Sequence, residues 1–335
     1  MNYLITAFKI IIIEYLILFF HELVHYISAL FLGFKTSNYY LIPFNLEKNK
    51  SKLKLKILLF KDNFITSKIH FNSISISSKL QYNILLKKIR FFFFIGPIFD
   101  FIIFVALFSI GVTKIEYSYL ALIALIHFSL STINFFNSDG KYAIGAKEDT
   151  RIAFDVVRNY TLCGNGEVSH ASKRILTDFH MEISENITID TFDVNDLWNF
   201  LNNLSFYTNS LLSYLNNDIL TLHSSTSTFF ESIIKDYDNI KVYDYRQVEK
   251  TSLSILYYFI YLKILNKDLT INDNILQKIY DGLKIPYYNK LYNLYFNNEI
   301  ENISYLRNEN NMPPSVSSCE GYRKLLLNLI NLYNN

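Results

Sequence analysis

Cysteine is nearly absent from this chain. Cys163 and Cys319 are the only two in 335 residues, and no C-x-x-C spacing supports either. A disulfide framework is therefore not the source of stability, and a reducing compartment is the default for the region that carries them. Charge is scarce as well. Charged residues make up 19% of the chain, below the usual ~25%, and the net charge of +2 gives no case for nucleic acid as a partner. The N-terminus has neither a basic start nor a small-residue cleavage site after its apolar run. It reads as a retained membrane segment rather than a signal peptide. What is plentiful is apolar surface: 50% hydrophobic and 17% aromatic residues.

Three stretches are long enough to cross about 30 Å of hydrocarbon, which takes about 20 residues. They run over about 4–34, 91–112 and 117–137. Thr113-Lys114-Ile115-Glu116 joins the last two into a tight helical hairpin. The loop 35–90 between the first and second spans is basic, with only Glu47 and Asp62 against its many lysines. Its alternating patches, such as Lys52-Leu53-Lys54-Leu55-Lys56-Ile57, predict β-strands with one wet face. By the positive-inside rule this loop is cytoplasmic. The N-terminus is then outside, and everything after the third span is inside. After residue 145 no further span of membrane length occurs. Segments Asp193–Leu215, Val248–Leu265 and Gly321–Leu332 carry helix-like apolar spacing. The expected fold is an α-helical membrane protein. Residues 1–145 form a three-span core with a small β-rich cytoplasmic loop, and 146–335 form a mostly α-helical cytoplasmic domain of unknown role.

The first span is interrupted by His21-Glu22-Leu23-Val24-His25, an H-E-x-x-H pattern within the apolar run Ile10–Phe34. On a helix, positions i and i+4 lie about 40° apart around the axis, so both imidazoles share one face one turn apart. Such a pair can hold one Zn²⁺, with the intervening glutamate as general base. A chance match in a chain with 7 histidines is expected roughly once in a hundred chains or fewer at average residue usage. Each ionisable group at membrane depth also costs about 2.5–3.5 kcal/mol on insertion scales. Three of them in one run point to function rather than accident.

A catalytic zinc usually takes three protein ligands and one water. His21 and His25 supply two. The best candidate for the third is Asp139, at the cytoplasmic end of the third span, followed by Gly140, which would allow close backbone approach. The plainer alternative is an Asp-Gly turn at a membrane boundary. A downstream glutamate is another possible ligand. Glu14 lies two turns before His21, about 10 Å away. It is an interior polar contact, a partner to an imidazole N–H, or a residue near the outer water layer. His127 stays outside the expected ligand set.

In three places, in order, the chain resembles the site-2 protease family of intramembrane zinc metalloproteases. The first is His21-Glu22-Leu23-Val24-His25. The second is Gly96-Pro97-Ile98-Phe99-Asp100, similar to the family's Gly-x-x-x-Asn segment. The third is Asn134-Phe135-Phe136-Asn137-Ser138-Asp139-Gly140, similar to its Asn…Asp-Gly motif. The resemblance covers roughly residues 1–150. Two departures stand out: no proline separates Asn134 from Asp139-Gly140, and Asp100 stands where the family has Asn. The resemblance implies one Zn²⁺ held by His21, His25 and Asp139, with Glu22 as catalytic base. Asn134, Gly96, Asp100 and Glu14 would touch substrate or support the ligands.

The function so implied is hydrolysis of peptide bonds in a membrane-spanning protein or small peptide precursor. The expected location is multi-pass in a cell membrane, such as a bacterial inner membrane, in contact with the lipid bilayer. The alternative is a non-catalytic membrane sensor, immunity protein or partner-binding protein that keeps the metal-binding core.

Overall fold

A computed structural model describes residues 2–41, 44–49, 52–57, 68–114, 118–132, 139–162, 164, 167–187, 196–216, 219–240, 245–265, 273–313 and 320–333. These residues are mostly helical and divide into two units. The first comprises Met1–Ser73 and Ser78–Tyr160, and the second Ile74–Ser77 and Thr161–Asn335. The division falls later than the 145/146 boundary expected from hydropathy. A drop in apolar content marks the end of the apolar run, not the end of the packing unit that contains it.

In the first unit, α1 spans Asn2–Phe31. It ends because Gly33 adopts φ 79°, a left-handed conformation that other residues rarely take. The Phe34 N–H then reaches back to the Ala29 carbonyl at 2.9 Å, closing the helix end. Four strands follow: β1 (Thr36–Leu41), β2 (Phe44–Asn49), β3 (Lys52–Ile57) and β4 (Lys68–Phe71). They form one antiparallel sheet of order β3-β2-β1-β4.

Helix α2 runs over Lys79–Thr113, so it begins well before the expected span at 91 and takes in the end of the basic loop. The local reason is clear. Ser78 caps the helix, its side chain accepting from the Gln81 N–H. Tyr82, Leu85, Ile89 and Phe92 then recur at helical spacing, and all four are buried. Helix α3 spans Ser118–Thr132, within the third span expected over 117–137. The chain is helical again at Asp139 and Gly140, passes through a π-helical turn at Lys141–Gly145, and enters α4 (Thr150–Leu162). Among the described residues, α2 is the helix long and apolar enough to cross a membrane. Hydroxyls on these helices turn inward to the backbone: Ser109 donates to the Val105 carbonyl and Thr132 to that of Phe128. Such bonds remove polar groups from an apolar surface.

The second unit packs α5 (His170–Asn186), α6 (Leu197–Leu215), α7 (Ser224–Lys235), α8 (Tyr245–Ile264), α9 (Asp273–Gly282), α10 (Pro286–Phe296), α11 (Asn302–Arg307) and α12 (Glu320–Tyr333). Ile74–Ser77 joins it through Ile76, whose N–H and carbonyl both bond the Ser172 hydroxyl. The core is aromatic: Tyr207 stacks on Phe229 at 4.5 Å and Phe230 on Tyr258 at 4.9 Å. Two of the buried tyrosine hydroxyls donate to carbonyls, Tyr287 to that of Leu306 and Tyr295 to that of Leu329.

His180 lies fully buried in this core, stacked on Phe206. Burial pushes its pKa down from 6.5 to about 4, and the nearby His223 adds to the effect. The unfolded chain therefore takes up a proton below about pH 6.5 that the folded chain refuses until about pH 4. Stability is full above the unfolded value and falls as pH drops through this window. The loss is on the order of 3 kcal/mol, at about 1.36 kcal/mol for each pH unit between the folded and unfolded values. Near-UV circular dichroism, to which the stacked aromatic core of this unit contributes, follows its denaturation. The denaturation midpoint should fall between about pH 7 and pH 4, and less steeply in His180→Gln. Equal slopes in both proteins would assign the acid sensitivity elsewhere.

Candidate metal centre

The centre is assembled from three parts of the first unit. Helix α1 presents His21 and His25 on one face, 5% and 3% exposed. Helix α2 crosses them at Gly96. The helical residue Asp139, far along the chain, brings its carboxylate to the same point. Asp139 Oδ2 lies 2.9 Å from His21 Nε2 and 2.9 Å from His25 Nε2, and the two Nε2 atoms are 3.2 Å apart. Three donor atoms thus form a near-equilateral triangle. Ligands around a tetrahedral zinc, with bonds of about 2.0–2.1 Å, stand about 3.3 Å from one another. The donor set, two imidazoles and one carboxylate, also suits that ion. The residues present fit the group.

Local structure explains how Asp139 arrives there. A side chain on Gly140 would place its Cβ 2.0 Å from the Thr132 carbonyl oxygen, so only glycine permits this approach to the end of α3. Arg90 on α2 donates to the Ala143 carbonyl at 3.0 Å, and Phe93 packs on Tyr142 at 4.8 Å. Both contacts pin the π-helical turn beside the site. His25 is held by Phe92, ring to ring at 4.9 Å.

Gly96 is required by space. A Cβ there would lie 2.4 Å from His25 Nε2, 2.7 Å from His21 Cε1 and 2.8 Å from Asp139 Oδ2. Asp100, one helical turn on, is buried, and both its oxygens lie 2.9 Å from His21 Nδ1. Glu22 is half-buried on the same turn of α1 as His21. Glu14 supports no ligand directly: its Oε1 lies 2.9 Å from His127 Nδ1. Of the expected site residues, Asn134 lies outside the described residues.

His127 is the residue that sequence reasoning left out. Its ring stands 5.6 Å from that of His21, and its Nε2 is 3.7 Å from Asp100 Oδ1. The signal was present in the hairpin. Asp100 and His127 lie at similar chain distance on either side of the link between α2 and α3, so antiparallel packing of the two helices brings them to similar depth. The chain matches no family model, no curated protein and no solved structure.

Proposed function

We propose that this chain is a membrane-embedded zinc endopeptidase, similar in its first unit to the site-2 proteases. The observation that carries the reading is the triangle of His21 Nε2, His25 Nε2 and Asp139 Oδ2, with edges of 2.9, 2.9 and 3.2 Å. Two of its corners come from H-E-x-x-H and the third from Asp-Gly more than a hundred residues later. Helices this apolar do not gather four ionisable side chains at one depth without use, since each is costly there.

Zinc bound at these donors would polarise water and a scissile carbonyl and lower the water's pKa toward ~7. The chain supplies the rest. Glu22 is the base, taking a proton from the attacking water on a carboxylate oxygen and returning it to the departing amine nitrogen. The apolar walls given by Phe92 and Phe93 limit bulk water near the site. A helical substrate must unwind locally to be cut, because its peptide groups are otherwise bonded within the helix.

A multi-pass placement follows as part of the same proposal. Helix α1 exposes Ile5, Phe8, Ile12, Leu16 and Phe20, and α3 exposes Leu122, Ile126 and Leu130. Lipid contact accounts for such surfaces on either side of α2. The lysine-rich loop favours the cytoplasmic side for the sheet and the C-terminal unit, as in a bacterial inner membrane.

Glu22→Gln tests the activity. With zinc content unchanged, cleavage of a membrane-anchored reporter peptide by the reconstituted protein should fall by about 10²–10⁴-fold, the usual contribution of a general base. Undiminished cleavage would remove Glu22 from the mechanism. No cleavage by the wild-type protein of any reporter would favour the non-catalytic sensor or immunity reading, for which the glutamate is dispensable.

A further inference from the structure

We propose that Asp100 is the positioning residue of the metal centre, fixing His21 through a polar chain that continues to His127 and Glu14 across three helices. The inference rests on the reading of His21, His25 and Asp139 as metal ligands, but not on the protease activity.

The geometry has a direction. Both Asp100 oxygens stand 2.9 Å from His21 Nδ1, and the carboxylate is completely buried. It accepts the Nδ1 hydrogen. A neutral imidazole that donates from Nδ1 carries its lone pair on Nε2, the atom that faces Asp139 and His25. Asp100 therefore selects the ligating tautomer and the ring plane together. A carboxylate in this position also raises the basicity of the ligand nitrogen. An Asn here could still accept through its oxygen, but it brings no charge.

The rest of the chain explains how a buried carboxylate is held. Asp100 sits on α2, and His127 on α3 approaches it to 3.7 Å through Nε2. His127 Nδ1 in turn lies 2.9 Å from Glu14 Oε1 on α1, and Glu14 is the member of the chain that reaches the surface, 48% exposed. His127 thus bonds Glu14 directly and stands within ion-pair range of Asp100 without a hydrogen bond to it. His25 has no such support: among the described residues its buried Nδ1 has no hydrogen-bond partner. The two ligand histidines are therefore unequal, and His21 is the one whose orientation is enforced.

Cobalt(II) is the probe, titrated into the metal-free full-length protein in detergent, with affinity read by chelator competition and geometry by the visible absorption bands. Asp100→Leu should bind cobalt about 10–100-fold more weakly, the usual cost of removing an outer-sphere partner, with shifted bands. Asp100→Asn, which keeps the acceptor and the shape, should recover most of the affinity and the wild-type bands. His127→Gln should fall between Asn and wild type. Thermal midpoints measured alongside separate misfolding from mispositioning, and the near-isosteric Asn variant keeps the test decisive if Leu does not fold. Wild-type affinity and bands in Asp100→Leu would overturn the proposal. So would Asp100→Asn weakening cobalt as much as Leu while both fold. Two cobalt ions per chain, the second lost in His127→Gln, would make Asp100 a ligand instead and overturn it too. A wild-type protein that binds no cobalt sinks it together with the metal centre. Failure of the protease reading looks different, because the Glu22→Gln comparison is made on cleavage and leaves cobalt binding untouched.

Discussion

Asp139→Ala should purify with far less than one zinc per chain and show no cleavage above background. Among the described residues, Asp139 is the carboxylate that groups with both His21 and His25. His21 and His25 alone would leave a two-ligand site, and their Nε2 atoms, 3.2 Å apart, would face each other without the anion that draws a cation between them. Removing an outer-sphere partner of a metal ligand already costs about 10–100-fold in affinity, so losing a ligand outright should exceed about 100-fold. Asp139→Glu is expected to rescue little. Its extra methylene has no room, because the carboxylate stands 2.8 Å from where a Gly96 Cβ would be. Metal analysis by mass spectrometry on purified wild type, His21→Ala and Asp139→Ala decides the matter. Full zinc in Asp139→Ala would transfer the third ligand to another residue, such as a downstream glutamate.

The parts of this site that the sequence made legible are the ones with a fixed local spacing. His21 and His25 are four apart on a helix, and no tertiary information is needed to put them on one face. Asp139 could be reached only by adding depth: a charge-oriented topology puts both ends at one level, but does not say that two side chains meet. Asp100 illustrates the limit. It is the fourth residue after Gly96, so helical geometry puts both on the face that packs on α1. Which imidazole nitrogen it would reach depended on the distance between α1 and α2, and that distance is set by Gly96. Glu14 shows the same limit. Its spacing marked it as a polar contact or a partner to an imidazole N–H, and the imidazole it meets is that of His127 on α3. In the second unit, the apolar spacing in Asp193–Leu215, Val248–Leu265 and Gly321–Leu332 found α6, α8 and α12 to within a few residues. The start of α2 was missed because a lysine-rich stretch obscured a buried stripe beneath it.

Gly96→Ala should abolish zinc binding almost as completely as loss of a ligand, although it removes no donor atom. Two physical effects of the same methyl group oppose each other. In helix propensity alone, Ala is favoured over Gly by about 1 kcal/mol, so α2 itself should gain stability. At the site, the methyl would come within 2.4 to 2.8 Å of three atoms, and each belongs to a proposed ligand. None of them can yield cheaply. His25 is wedged against Phe92, His21 is tied to Asp100, and Asp139 is fixed by the close approach of Gly140 to Thr132. Either the triangle opens or α2 moves away from α1, and overpacking of this kind costs about 1–3 kcal/mol or more. The site term outweighs the propensity term, and it acts on the ligand positions directly. The expected signature is therefore a split: unchanged or modestly lower thermal stability of the metal-free protein, with zinc content and cleavage lost. Ile98→Ala, on the exposed side of the same helix, should retain both. Should Gly96→Ala keep one zinc per chain with wild-type cleavage, α2 would have to stand farther from α1 than it does here, and the triangle of donors would no longer be closed by that helix.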